Sequence, residues 1–191
     1  MVLPAVEEWV APRPKRWTVK EAYAWAELFP EARFELIEGE IFERMSHSPE
    51  HAYRLCLVGG WASSVFGGES VRQQLPLSMR GAEADFSEPE PDIAVVRPGD
   101  YSRRHPQPDE ALLIVEITYT SHKMDLETKA SLYGRNGVPE YWALDLPGRR
   151  LFVHREPSAT GYGVITILDE SRSIAPLAAP DRLVKVADLL P

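Results

Sequence analysis

The sequence predicts an α/β fold, a β-sheet with helices packed against it. Ala111-Leu112-Leu113-Ile114-Val115-Glu116-Ile117-Thr118 is a nearly unbroken apolar run with the length of a strand buried on both faces. A helical stripe over 125–135 follows, and then a second strand-like run over 140–146, so strand and helix alternate. No internal repeat or low-complexity tract divides the 191 residues, and 44% hydrophobic content suffices for one core.

The elements can be justified in chain order. Residues 1–16 show no hydrophobic periodicity and read as an N-terminal arm, leaving 17–191 as a single domain. Thr18 with Glu21 three residues on forms a capping box, which predicts a helix through Tyr23, Trp25 and Leu28 that stops before Pro30. Residues 34–42 read as a hairpin about Glu38-Gly39, the glycine supplying the positive φ of a tight turn. Ser48-Pro49-Glu50 opens a second helix, with serine at the cap and proline at the first position, running to about Phe66 and ending at Gly67-Gly68. Strands are expected at 70–79, 91–96, 111–118 and 140–146, with the 125–135 helix between the last two, capped by Gly137 and stopped by Pro139. In that helix Leu126, Lys129, Ala130 and Tyr133 share a stripe, with the lysine at its edge. A strand pair at 150–155 and 162–168 and a terminal segment over 181–190 close the chain.

Bulk properties narrow the function. No apolar run approaches the roughly 18 residues a membrane span needs. Glu7, Glu8, Pro12 and Pro14 break any signal-peptide pattern, and Cys56 is the single cysteine, so a cytoplasmic protein without cysteine-rich zinc sites is expected. A formal net charge of -8 argues against nonspecific coating of nucleic acid, but not against a metal-dependent enzyme. Charge is uneven: Glu83, Asp85, Glu88, Glu90 and Asp92 form an acidic run, followed by the basic Arg97, Arg103, Arg104 and His105. On composition alone these are two solvated loops.

Glu116 stands inside the apolar run, and acidic side chains are rarely buried without a partner. If 91–96 and 111–118 are adjacent and antiparallel, the register that sets Asp92 opposite Glu116 also sets Val96 opposite Leu112. Two carboxylates so close repel unless a cation lies between them, and Mg²⁺, which takes one or two carboxylates plus waters, suits the pair. Strand alternation puts Glu116 and Thr118 on one face with Ile114 and Leu112. A helix packed over that face can deliver the Lys129 ammonium. Two acids, a metal and a lysine are a set suited to phosphodiester hydrolysis. Spacing alone equally allows a structural reading, in which Glu116 is salt-bridged to Lys129 or Lys123 and Asp92 caps a strand start.

The ordered pieces Phe34-Glu35-Leu36-Ile37-Glu38-Gly39-Glu40, Ser48-Pro49-Glu50-His51, Pro91-Asp92 and Val115-Glu116-Ile117-Thr118 are followed by residues 125–129, Tyr133 and Gly137-Val138-Pro139-Glu140-Tyr141-Trp142. On this set the sequence resembles the Uma-two-type family of the PD-(D/E)XK nuclease superfamily, over about residues 18–190. The resemblance implies a restriction-endonuclease-like core, a mixed β-sheet flanked by helices, to which the N-terminal helix and hairpin are added. It implies a Mg²⁺ (or Mn²⁺)-dependent endonuclease acting on DNA, with Asp92 and Glu116 as the paired acids and the Ile117 backbone carbonyl as a further metal ligand. Where the superfamily usually has lysine, two residues past the second acid, stands Thr118; Lys129 takes over from the helix. Glu35, Glu50 and His51 are secondary candidates, and Arg97, Arg103 and Arg104 are candidates for tracking the phosphate backbone. Nucleases of this fold commonly work as homodimers, which implies one here, with a site against each strand. The competing expectation is a catalytically inactive nuclease fold that binds nucleic acid or a protein partner.

Other constellations are weaker. His47 and His51 have i, i+4 spacing for a zinc pair, but Pro49 lies between them. Ser63-Ser64 lacks a nucleophile-elbow pattern, and Gly59-Gly60 and Gly67-Gly68 make no phosphate-binding fingerprint. Trp61, Tyr141 and Trp142 read as core residues.

Overall fold

The structure is a computed structural model that describes residues 13–44, 48–119, 121 and 123–190. His47, and with it the His47–His51 pair, lies outside the described residues, as do residues 1–12 of the arm. The elements are α1 (Val19–Leu28), β1 (Phe34–Ile37), β2 (Glu40–Glu43), α2 (Pro49–Phe66), β3 (Val71–Gln73), β4 (Ile93–Val96) and β5 (Ala111–Thr118). A π-helical segment (Met124–Lys129) then leads into α3 (Ala130–Arg135), followed by β6 (Glu140–Asp145), β7 (Arg150–Ser158), β8 (Gly161–Asp169), β9 (Ser173–Ile174), β10 (Val184–Lys185) and α4 (Val186–Leu189).

Six strands form one mixed sheet in the order β3-β4-β5-β6-β7-β8. Only β5 and β6 run parallel, joined by the π-helical segment and α3; the other neighbours are antiparallel. One face packs Ile93, Val95, Leu113, Val115, Ile117 and Trp142 against Val58 and Ala62 of α2 and Val186 and Leu189 of α4. The other packs Ile114, Tyr141 and Ala143 against Ala130, Leu132 and Tyr133 and against Ile37 and Phe42 of the hairpin. Trp142 and Tyr141 are fully buried, and Trp61 stacks on Trp142 with centroids 5.5 Å apart. No helix among the described residues is long and apolar enough to cross a membrane.

Local signals act as the sequence suggests. Thr18 and Glu21 form the reciprocal capping box, and the Ser48 hydroxyl caps α2 with Pro49 in its first turn. In the hairpin turn Glu38 and Gly39 both have positive φ, at 54° and 84°, as a two-residue turn of this hand requires. A Cβ on Gly39 would meet Arg16 at 2.9 Å, because the end of the arm closes over the turn: Trp17 N–H donates to the Gly39 carbonyl and Arg16 Nε to that of Glu38.

The structure corrects four expectations. The 70–79 strand is only Val71–Gln73: Gln74 has φ 52° and Pro76 has no N–H, so the ladder stops. The next strand begins at Ile93, after Pro91, for the same lack of a donor. The 125–135 helix is π-helical for its first half, the wider coil common at functional sites. The β4–β5 register is the one expected for Ile93↔Val115, Ala94↔Ile114 and Val95↔Leu113, but a bulge then pairs Val96 with Ala111. Leu112 therefore packs on the α2 face rather than with Ile114.

Candidate active site

The β4–β5 register carries Asp92, one residue ahead of β4, to the level of Glu116. The two clasp through the backbone. The Ile117 N–H donates to Asp92 Oδ2 at 2.9 Å, and the Asp92 N–H donates to Glu116 Oε2 at 3.2 Å. Asp92 thus satisfies the end of the ladder while leaving its carboxylate rimmed by side chains. Arg44 Nη2 and Gln74 Nε2 each lie 3.3 Å from Oδ1, and His51 Nε2 lies 3.2 Å from Oδ2.

Glu116 Oε1 accepts from Lys129 Nζ at 3.0 Å and from the Tyr133 hydroxyl at 3.1 Å. The i, i+4 stripe of the sequence, continued from the π-helical segment into α3, brings these two donors to one oxygen. Lys129 Nζ also lies 2.9 Å from Glu35 Oε2 and 3.9 Å from Asp125 Oδ1. Thr118 faces Asp125: its hydroxyl and that of Ser121 both donate to Asp125 Oδ2, and the Tyr141 hydroxyl donates to the Asp125 carbonyl. The strand position where the superfamily pattern has lysine therefore positions an acid that in turn sits beside the helix lysine. Glu35 has the strand parity of buried Ile37, and its Oε2 accepts the Glu90 N–H at 3.2 Å.

Glu35, Asp92, Glu116, Asp125 and Lys129 are all buried, Glu35 the most exposed of them at 8%. Around them the acids outnumber the permanent cations: Glu35, Asp92, Glu116 and Asp125 share Lys129 and Arg44, and Arg44 is also engaged by Glu90, which has Arg33 4.0 Å away. Burial pushes the Glu116 carboxyl up; Lys129 opposes this, and Asp92, Asp125 and Glu35 add to it. Burial also raises Asp92, but His51, the Ile117 N–H and Lys129 outweigh it and hold that carboxyl low. Lys129 keeps its charge because Glu116, Glu35 and Asp125 outweigh its desolvation. Burial disfavours the His51 imidazolium, and Asp92 more than compensates.

Glu35, Arg44, His51, Asp92, Glu116, Asp125 and Lys129 line an open cleft of about 460 Å³ with Glu43, Ser48, Tyr119 and Met124. Of the secondary candidates, Glu35 and His51 line it. Glu50 does not; it stays half-exposed, 3.9 Å from Arg54 one turn along α2. Arg97, Arg103 and Arg104 are exposed in the loop between β4 and β5, at the opposite end of these strands from Asp92 and Glu116. Four to five residues of strand put that loop roughly 13–17 Å away. Arg104 is further engaged by Glu110 in a two-pronged pair at 2.6 Å. The residues that sequence reasoning missed are Arg44, Gln74 and Asp125. Arg44 shares the inward parity of Phe42 in the hairpin, the one signal available, whereas Gln74 sits where strand periodicity has already ended.

The site suits a hard divalent cation better than zinc. Among the described residues no group of three or more His, Cys, Asp or Glu side chains is placed to hold a metal ion. Mg²⁺ asks for less: one or two carboxylates, the remainder being water and substrate oxygen. Asp92 and Glu116 are the two carboxylates that would have to supply that need; Arg44 and His51 now hydrogen-bond the first, and Lys129 and Tyr133 the second.

Comparison with known proteins agrees with this architecture. The chain resembles the crystal structure of "a putative nuclease belonging to DUF820" from Anabaena variabilis ATCC 29413, with a TM-score of 0.64 and 19% identity, covering 83% of this chain and 90% of that one. At that identity the likeness concerns the fold, which is nuclease-like. No curated protein matches. Residues 19–187 match the Uma2 family, described as "Putative restriction endonuclease". Matched from its first helix to its last, the chain belongs to the Uma2 family.

Proposed function

We propose that the protein is a divalent-metal-dependent endonuclease that hydrolyses phosphodiester bonds in DNA. One observation carries the reading: three buried carboxylates, Glu35, Glu116 and Asp125, converge on the single ammonium of Lys129 in an open cleft, with buried Asp92 clasped to Glu116 beside them. Asp92, Glu116 and the Ile117 carbonyl would hold Mg²⁺ or Mn²⁺, which when bound supplies an activated water and offsets phosphate charge. Lys129, kept protonated by its three acids, donates to the attacking water and to the charge that develops on the phosphate. Glu35 and Asp125 fix the ammonium in place, and Tyr133 does the same for Glu116. Arg44 offers a guanidinium at the cleft wall for a phosphate oxygen. Arg97 and Arg103 serve flanking phosphates, away from the scissile bond.

A second reading, a nuclease fold that binds nucleic acid or a protein without cutting, is favoured by Arg44 and His51, which cover both oxygens of Asp92. Calorimetric titration with Mg²⁺ and Mn²⁺ and nicking of supercoiled plasmid separate the two. The nuclease reading expects metal binding that Asp92→Asn removes, and nicking that both Asp92→Asn and Lys129→Met abolish. Heat-silent titrations of the wild type, or nicking untouched by both substitutions, would overturn it.

A further inference from the structure

The two edges of the main sheet are built differently. β3 is three residues long with Arg72 at its centre, and short, charged edges resist pairing with other chains. β8 ends the sheet on the other side and is nine residues long. From Gly161 to Leu168 it contains no charge and no proline, and Gly163 to Ile167 are all exposed. Val164 is 39% exposed, Ile165 57% and Ile167 54%, so β-branched side chains stand free on both faces of the strand. Its register with β7 is unbroken from Arg150↔Asp169 to Arg155↔Val164, so no bulge twists this edge away. None of the usual protections of an edge is present along this stretch.

We propose that β8 pairs antiparallel with β8 of a second copy of this chain, joining two six-stranded sheets into one of twelve strands. Two features favour a second copy as the occupant. In a two-fold antiparallel pair, residues facing one side meet residues facing the same side. Ile165 and Ile167 then contact their counterparts across one face, and Val164 and Thr166 theirs across the other. Two chains of formal charge -8 also repel wherever charged surfaces meet, and this strip places no charge opposite a like charge. The paired strands and side chains cover on the order of 1,000 Å² in total, at the low end of specific interfaces, the size class of weak and transient association.

The geometry also bears on the proposed nuclease reading, though the dimer does not depend on it. Seven strand spacings separate the two copies of β5, roughly 34 Å at about 4.8 Å each. At that separation no single phosphodiester bond reaches both clefts, so each acts on its own.

Sedimentation velocity on the full chain from about 1 to about 100 µM tests the proposal. The wild type is expected to approach twice its 21.5 kDa mass across this range. Ile165→Lys and Ile167→Glu, each checked for an unchanged circular dichroism spectrum, are expected to stay at monomer mass, a loss of affinity of at least about 100-fold. If both variants fail to fold, amide exchange on the wild type decides: protection within Gly163–Ile167 should rise with protein concentration. A wild type that stays monomeric throughout, variants that dimerise undiminished, or exchange independent of concentration overturns the proposal.

Discussion

Glu116 and Glu140 are buried carboxylates on neighbouring parallel strands, and their surroundings differ in one respect that matters. Glu140 has a guanidinium to itself: Arg155 reaches its Oε1 through Nε at 2.9 Å and Nη2 at 2.6 Å. The Trp142 indole N–H and the Leu177 N–H complete its shell. Glu116 has no private cation, since its Lys129 is also 2.9 Å from Glu35 and 3.9 Å from Asp125. A buried acid that serves only the fold is neutralised one to one and closed off by hydrogen bonds. Where buried acids outnumber cations at an open cleft, the fold carries a cost that a bound cation offsets.

Substituting each acid tests the contrast most severely. Glu116→Gln is expected to reduce plasmid nicking by about 10³-fold. Its thermal midpoint should hold or rise, because one of several like charges is gone. A marked fall in that midpoint would make Glu116 a structural acid like Glu140. Glu140→Gln should do the reverse. It leaves Arg155 without its counter-charge and should cost about 3 kcal/mol in urea unfolding, the low end for a broken buried pair because Arg155 is 28% exposed. Nicking per folded molecule should not change. Tyr133→Phe removes one hydrogen bond to Glu116 and should cost about 1 kcal/mol in the same unfolding assay.

The smallest effect is in pH dependence, and there the two kinds of buried group have opposite signs. His154 is buried on β7 against Tyr141 and Tyr162, and burial lowers its pKa. The unfolded chain therefore takes up the proton first, and stability falls as pH drops below about 6.5. Glu116 is raised instead, so the folded state holds its proton longer, and the metal-free protein loses stability as pH rises above the ordinary carboxylate range. Urea midpoints across pH should show a His154→Phe variant with a flatter acid limb and a Glu116→Gln variant with a flatter neutral limb. Unchanged limbs in both would remove the electrostatic part of the comparison.

Much of this arrangement is legible in residues close in sequence. The Thr18–Glu21 box, Ser48-Pro49 and Glu38-Gly39 act through backbone groups only a few residues away, so their meaning survives without a fold. The limits of β5 and three pairs of its register with β4 follow from the apolar run and from antiparallel geometry. Lys129 and Tyr133 share a helical stripe, which is why both reach Glu116.

The rest depended on which distant segments meet. Nothing near Arg44 in sequence indicates that a hairpin end will stand beside Asp92, 48 residues on. Asp125 takes its position from Thr118 and Ser121, and Lys129 gains Glu35 from the hairpin, only once the hairpin and α3 pack on the same face of the sheet. The bulge that turns Leu112 away and the unguarded edge of β8 are properties of strand neighbours, not of strands. The sequence by itself determined the helix caps, the hairpin turn and the apolar run of β5, because those rest on short-range sterics, capping and periodicity. Only the tertiary structure decided which charges share a cation, because that depends on long-range packing, which sets distance and dielectric together.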